Sequence, residues 1–268
     1  ETGSALTSDS SLAYADNFLA SLVFDLTGTA SSDGIWGGPG ADTIAGGAEA
    51  DFIRGGRWGY SGDADLIFAG AATTAVNGVY PAGTDTIASA TAVAPAFTSL
   101  FSPQGDSTHY DKVFGGANII EGCQGNDVLV ASTAKDVFLY QTETSTSGPT
   151  PGNDTIHSFR LGTDRIFAFE TDGSGNGNDY TFTGGGTHTG ANNSTLAGAQ
   201  VCTLASTHGW TWTLDAGSAT AGTLAYTSLN PSTGDSASHA NFSIHLVGLL
   251  GTDGNALATT VTADSFFL

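Results

Sequence analysis

The chain has 268 residues, with 38 Gly, no Met, six Lys or Arg against 26 Asp or Glu, and a net charge of -20. Scarce long-chain helix formers argue against a helical bundle, and an apolar fraction of 40% argues against disorder. The negative charge repels nucleic acid and anionic membrane surfaces, so we expect cations as ligands and no nucleic-acid partner. The sequence has no long apolar run, so we also expect no membrane span.

The first predicted element is the segment 1–27, whose residues 11–28 read SLAYADNFLASLVFDLTG. This stretch is apolar enough either to dock on a neighbouring molecule or to cap the same chain as an amphipathic element. The chain starts without Met, and we expect it to be processed or to be part of a longer protein.

Three uninterrupted nine-residue repeats follow, reading GTASSDGIW (28–36), GGPGADTIA (37–45) and GGAEADFIR (46–54). Each has an Asp at its sixth position and an Ile two residues later. The same Asp-x-apolar unit returns at Asp65, Asp85, Asp111, Asp127 and Asp136. Isolated Gly-Asp pairs indicate only turns, but regular phasing with a fixed apolar offset indicates a repeating coil.

The residue types of this repeat suit a calcium-binding turn. Glycines permit positive φ and let carbonyl oxygens converge, Asp adds a carboxylate to that hard oxygen shell, and the last three residues make a short strand. Because stacked turns lie about 4.8 Å apart, a carboxylate can share an ion with the next turn. The predicted calcium-site residues are Asp33, Gly37, Gly38, Gly40, Asp42, Gly46, Gly47, Asp51, Asp65, Asp85, Asp111, Asp127, Asp136 and Asp154.

These repeats resemble the RTX (repeats-in-toxin) family of type I secreted proteins over residues 28–138. The resemblance implies an all-β fold with a parallel β-roll, calcium as the cofactor and an extracellular or cell-surface location in a bacterium. The match is degenerate: Glu49 replaces a turn glycine, 55–60 and 88–108 look like insertions, and GGANIIEG (115–122) lacks the Asp. We therefore expect protruding loops and a doubtful calcium site at 115–122.

A Ser, Thr and Pro-rich break at 142–151 separates the predicted roll (28–141) from a roll-closing segment (142–179). GNDTIHSFRLGTDRIFAF (152–169) resembles the closing segment of RTX modules, with Asp154, Phe159 and Asp164 at matching positions. DGSGNGND (172–179) has the spacing of a short calcium loop but lacks the final Glu, and a polar hairpin is the favoured interpretation.

Residues 180–268 carry only four of the 26 acidic residues and alternate in strand fashion, as in WTWTL (210–214). We predict a C-terminal β-rich, sandwich-like domain. Its end resembles the C-terminal region of type I secreted proteins, with Asp264 followed by terminal hydrophobic residues. Such a tail fits a chain that stays unfolded at low calcium and folds outside the cell.

No motif of a catalytic site occurs, since the chain lacks a His-Glu-x-x-His or Gly-x-Ser-x-Gly sequence and its six His are scattered. We expect no enzyme activity. Cys123 and Cys202 could form one bridge or remain thiols.

The leading hypothesis is a structural protein that self-assembles into an extracellular filament or surface layer as a homo-oligomer or homopolymer. The alternative is an adhesin or a carbohydrate-binding module of a larger exoprotein, with Trp58 and Tyr60 stacking on a cell-surface polysaccharide. A third hypothesis is an enzyme with a site that the sequence does not reveal.

Overall fold

The computed structural model describes residues 22–56, 64–89, 114–143, 151–171, 181–182, 210–216, 218, 220–226 and 242–251. These residues contain β-strands and no helix, which confirms the predicted all-β class. The strands are β1 (Asp25–Thr27), β2 (Gly34–Trp36), β3 (Thr43–Ala45), β4 (Phe52–Arg54), β5 (Leu66–Phe68), β6 (Ala117–Glu121), β7 (Val128–Val130), β8 (Lys135–Glu143), β9 (Asn153–His157), β10 (Arg165–Thr171), β11 (Thr181–Phe182), β12 (Trp210–Leu214), β13 (Ala221–Tyr226) and β14 (Phe242–Val247).

Strands β1 to β10 alternate between two sheets. The odd-numbered strands pair in parallel in an eight-stranded sheet, and the even-numbered strands pair in parallel in a six-stranded sheet. In the regular repeats, stacked residues are 18 positions apart, as for Asp33 and Asp51. Two nine-residue repeats therefore make one turn of what we call the two-sheet coil, the described residues from 25 to 171.

The middle residue of each short strand points between the two sheets. Ile44, Ile53, Ile67 and Leu129 are fully buried in one common core, whereas Ile35 near the N-terminal end is only partly buried. Because side chains alternate along a strand, a three-residue strand supplies one inward side chain per repeat. This placement explains the fixed offset of two residues between Asp and the apolar residue.

The described residues that follow β5, up to 89, make an excursion over the eight-stranded sheet and rejoin it at a parallel bridge between Gly83 and Ser132. Tyr80 makes an edge contact with Phe68 at 5.5 Å and with His157 at 5.3 Å between ring centroids. Ser158 Oγ also donates a hydrogen bond to Tyr80 O over 2.7 Å. The Asp-x-apolar unit at Asp85 belongs to this excursion and is not followed by a strand, unlike the other described copies.

The described strands of the predicted C-terminal domain (180–268) continue the eight-stranded sheet of the coil. Strand β14 pairs in parallel with β9, and β13 and β12 follow it in antiparallel order. Leu224, Ile244 and Leu246 belong to the same buried cluster as Ile156 of β9. Without these strands, the β9 edge of the sheet would expose apolar side chains and unpaired backbone groups.

Several predicted features lie outside the described residues: the segment 1–21, Asp111, Trp58, Tyr60, the 172–179 loop, Cys202 and the tail beyond 251. Cys123 is a free and buried thiol. The described part of the chain contains no helix of the length and hydropathy needed to cross a bilayer.

Candidate cation-binding turns

The acidic residues of the repeats stack in two rows, one along each edge of the two-sheet coil. We call them ladders, because each residue in a row donates a hydrogen bond, mostly from its backbone N–H, to the side-chain oxygen of the residue one turn further on. The first ladder contains Asp33, Asp51, Asn118, Asp136 and Asp164, and leads into the six-stranded sheet. The second contains Asp42, Asp65, Asp127 and Asp154, and leads into the eight-stranded sheet.

The second ladder is regular. Asp42 N donates to Asp65 Oδ1 over 2.8 Å, Asp65 N to Asp127 Oδ1 over 2.8 Å, and Asp127 N to Asp154 Oδ1 over 2.9 Å. The bonds bridge sequence separations of 23, 62 and 27 residues, so insertions leave the stacking unchanged. The ladder is a property of the coil and not of local sequence spacing.

The first ladder contains an amide in place of one carboxylate. Asp51 N donates to Asn118 Oδ1 over 3.0 Å, and Asn118 Nδ2 donates to Asp136 Oδ1 over 2.9 Å and to Asp85 Oδ2 over 2.7 Å. Ser132 Oγ adds a bond to Asp136 Oδ1 over 2.9 Å. Asn118, Ser132 and Asp136 are fully buried, so this is a buried polar network in which protein donors face carboxylates.

The first glycine of a turn lies directly against the Asp carboxylate. A methyl group at Gly46 would stand 2.6 Å from Asp51 Oδ2 and would collide with the carbonyl oxygen of Ala69. At Gly55 it would collide with Asp65 Oδ2 and would lie 2.8 Å from Gly122 O. A carboxylate oxygen and a carbonyl oxygen of the adjacent turn thus converge on one glycine Cα, which is why no side chain is tolerated there.

Four carboxylates have a buried oxygen that receives no hydrogen bond: Asp51 Oδ2, Asp85 Oδ1, Asp127 Oδ2 and Asp154 Oδ2. Asp51 and Asp127 are 0% and 1% exposed, and in both the Oδ2 atom has no partner. Burial raises the pKa of Asp51 to about 8, and the charges of Asp33, Asp85 and Glu49 add to the shift. Burial, followed by the neighbouring Asp154 charge, also raises the pKa of Asp127. Without a compensating charge, these turns therefore favour protonated carboxyls.

Asp154 is buried beside the hydroxyl of Tyr140. Burial raises the pKa of Asp154 to about 8, while the hydrogen bond from Asp127 N and the nearby Tyr140 hydroxyl oppose that rise. The second ladder thus ends on a carboxylate whose Oδ1 accepts a hydrogen bond from Asp127 N and whose buried Oδ2 receives none.

The donor set suits a hard cation bound largely by main-chain oxygens. Within the described ranges, no group of three or more His, Cys, Asp or Glu side chains has a metal-binding arrangement. Carboxylate oxygens such as Asp51 Oδ2 instead lie beside carbonyl oxygens such as Ala69 O. Calcium takes six to eight oxygen ligands and accepts backbone carbonyls, whereas zinc prefers nitrogen and sulfur. The residues present therefore fit calcium better than a transition metal.

Cationic side chains donate to main-chain oxygens in the later turns of the first ladder. Arg160 Nη2 donates to Ser132 O over 3.0 Å and to Ala134 O over 3.2 Å, and Lys135 Nζ donates to Gly115 O over 3.3 Å. Arg165 Nη1 likewise donates to Asp164 O over 2.7 Å. In these turns the main-chain carbonyl groups are therefore bound by cationic side chains of the protein.

Most of the predicted site carboxylates do come together in the ladders, with two exceptions. Asp85 reaches the first ladder from the side, through Asn118, and Asp111 lies outside the described residues. Sequence reasoning missed Asn118 as a ladder member, because GGANIIEG was interpreted as lacking the Asp. The signal was the 18-residue step, which separates Asn118 from Asp136. Asp164 was recognised as part of the closing pattern but not as a ladder carboxylate.

Comparison of the chain with protein-family models, with curated proteins and with solved structures finds no match.

Proposed function

We propose that this chain is a secreted, calcium-binding structural protein with a parallel β-roll of the RTX type, in which ions held in Gly/Asp turns drive folding. The observation that carries the proposal is a set of buried carboxylate oxygens that receive no hydrogen bond, among them Asp51 Oδ2 and Asp127 Oδ2. An uncompensated buried charge costs several kcal/mol, and a divalent cation removes that cost. The alternation of short parallel strands between two sheets also supports the β-roll assignment.

The ladder carboxylates, with carbonyl oxygens of the adjacent turns, would hold the ions. Calcium would supply positive charge and coordination to oxygens that the protein leaves close together. Since a ligand that binds only the folded state stabilises it by RT ln(1 + [L]/Kd), each site adds to folding outside the cell, where calcium is abundant. The net charge of -20 acts in the same direction, because self-repulsion opens the metal-free chain and bound ions reduce it.

The direct test is far-UV circular dichroism and thermal unfolding of the full chain in calcium and in a chelator, with magnesium as the control cation. We expect a large rise in the unfolding midpoint with calcium and a smaller one with magnesium, which prefers an octahedral shell with several waters. Equal unfolding in calcium and chelator would refute the proposed function.

Self-assembly is supported by the N-terminal end of the coil. Strands β1 and β2 are the last described strands of their sheets, and each has one described neighbour. Val23, Phe24 and Trp36 at this end are 68%, 36% and 42% exposed. An open sheet end with apolar side chains is a template for strand addition, and we assign a second copy of this chain as its occupant.

Light scattering in calcium tests the assembly directly. Val23→Asp is expected to abolish assembly, whereas Val76→Asp, in the excursion and 64% exposed, is the matched control and is expected to leave it unchanged. A wild-type monomer in calcium at high concentration would mean that the segment 1–21 of the same chain, and not a second copy, covers this end.

A further inference from the structure

Among the ladder turns whose donor residue is described, which excludes those of Asp65 and Asp154, two kinds occur, and they differ in one hydrogen bond. In four turns the residue four positions before the Asp donates its backbone N–H to Asp Oδ2 over 2.6 Å. The donor and acceptor pairs are Thr29 and Asp33, Gly38 and Asp42, Ser132 and Asp136, and Arg160 and Asp164. We call these the closed turns, because the backbone satisfies the carboxylate oxygen that faces the turn.

The turns of Asp51 and Asp127 lack this bond, and we call them the open turns. The residues at the donor position are Gly47 and Cys123, with φ of 106° and 75°. None of the four donors in the closed turns has a positive φ. At both of these carboxylates Oδ2 is buried without a partner. Asp154 Oδ2 is also unpartnered, but residue 150, four positions before it, lies outside the described residues, so its turn is assigned to neither kind.

Cys123 makes the open turn at Asp127 a costly feature. A non-glycine residue at positive φ is strained by roughly 1 kcal/mol or more, and a strained conformation persists only where its surroundings demand it. The Cys123 thiol donates to Gly56 O over 3.2 Å, but that bond does not require a left-handed backbone. In the Asp51 turn, Glu49 also has a positive φ of 70°. Both open turns thus contain a strained residue next to an uncompensated carboxylate.

The closed turns are satisfied without a metal. Asp42 receives Phe24 N on Oδ1 and Gly38 N on Oδ2, at 2.7 and 2.6 Å. Asp164 receives Asp136 N on Oδ1 and Arg160 N on Oδ2, at 3.1 and 2.6 Å. At Asp136, Ser132 N and the Asn118 amide fill both oxygens. A cation at these carboxylates would have to displace existing hydrogen bonds.

We propose that calcium binds in this chain discontinuously, at the open turns 46–51 and 122–127, while the closed turns are held by protein hydrogen bonds and bind no ion of their own. Asn118 then takes the place of a carboxylate and an ion in the middle of the first ladder. This inference rests on the proposed function, since it selects among the calcium sites that the proposal invokes.

Calcium binding by the full chain, measured by equilibrium dialysis, tests the selection. Asp51→Asn and Asp127→Asn are the open-turn variants, and Asp42→Asn and Asp136→Asn are the isosteric controls in closed turns. We expect each open-turn variant to lose one bound ion, or to bind it at least tenfold more weakly. The controls are expected to keep the wild-type number of ions and to be destabilised equally in calcium and chelator.

The failures of the two proposals are distinguishable. If the wild type binds no calcium, the proposed function fails. If the wild type binds calcium but the closed-turn variants lose ions as the open-turn variants do, only the discontinuous pattern fails. Circular dichroism in calcium verifies that each variant is folded before its ions are counted.

A gain-of-site variant keeps the test informative where a loss-of-site variant does not fold. Asn118→Asp removes the amide donor and places a carboxylate beside Asp85 and Asp136. We expect this variant to be less stable than the wild type in chelator, to regain stability in calcium, and to bind one additional ion. An unchanged ion count, with the same loss of stability in calcium and in chelator, would overturn the role assigned to Asn118.

Discussion

The two-sheet coil and the C-terminal strands β12–β14 share one core but are built in different ways. Most coil strands have three residues, and the specific chemistry lies in the turns, where glycine, carboxylate and carbonyl groups of successive turns meet. The C-terminal strands have five or six residues and pair antiparallel through long registers. The coil therefore depends on backbone approach and buried charge, while the C-terminal strands depend on ordinary strand pairing and apolar burial.

The largest expected effect comes from substitutions in the shared core, which test whether the two regions unfold together. Ile244 of β14 and Phe138 of β8 are both fully buried in the same cluster. Replacing either residue by Ala is expected to cost about 2–5 kcal/mol in the free energy of unfolding. In a denaturant titration both variants should shift one common transition. The conservative variant Ile244→Val should cost about 0.5–1.5 kcal/mol.

Two separate transitions, with Ile244→Ala affecting only one of them, would instead show that the C-terminal strands form an independent unit.

A smaller effect is expected from glycine substitution in a coil turn. Gly55→Ala brings a methyl group against Asp65 Oδ2 and Gly122 O, and we expect a loss of about 1–3 kcal/mol. The adjacent Gly56→Ala is the matched control, because its methyl group would meet nothing closer than Gly38 O at 3.6 Å. Thermal unfolding measures both, and equal losses at the two positions would contradict the close approach of the turns.

In a chelator, the free energy of unfolding should depend on pH mainly through the buried carboxyls of the coil and not through the C-terminal strands. Asp51 has a folded pKa of about 8, and burial also raises the pKa of Asp127. A carboxyl whose pKa is raised on folding binds its proton more tightly in the folded state. The free energy of unfolding then falls as pH rises from about 4 to about 8, by up to about 1.4 kcal/mol per pH unit for each proton.

Saturating calcium should flatten this slope, because the bound ion stabilises the ionised carboxylates. Calcium affinity should rise over the same pH window, as protons and ions compete for the same oxygens. A chelated protein whose stability rises between pH 4 and pH 8 would contradict the buried, uncompensated state of these carboxyls.

The smallest effect is expected at the contact between His245 and Asp215 in the C-terminal region. His245 Nε2 lies 2.8 Å from Asp215 Oδ2, with side chains 40% and 39% exposed. Half-exposed pairs contribute about 0–1 kcal/mol because water and salt screen them. His245→Gln should therefore leave the unfolding midpoint nearly unchanged in calcium and in chelator. A loss as large as that of Gly55→Ala would mean that this pair has a role beyond surface stabilisation.

The amino-acid sequence alone determined the all-β class, the positions of most short strands and the inward side chains such as Ile44 and Leu129. It could do so because a nine-residue step with one inward apolar residue is a local pattern. The tertiary structure alone decided that the C-terminal strands continue the eight-stranded sheet, because strand pairing across about 90 residues leaves no local signal. It also decided which carboxylates are satisfied. Asp51 and Asp42 look equivalent in their repeats, but whether a backbone N–H reaches Oδ2 depends on the φ four residues earlier and on the packing of the next turn.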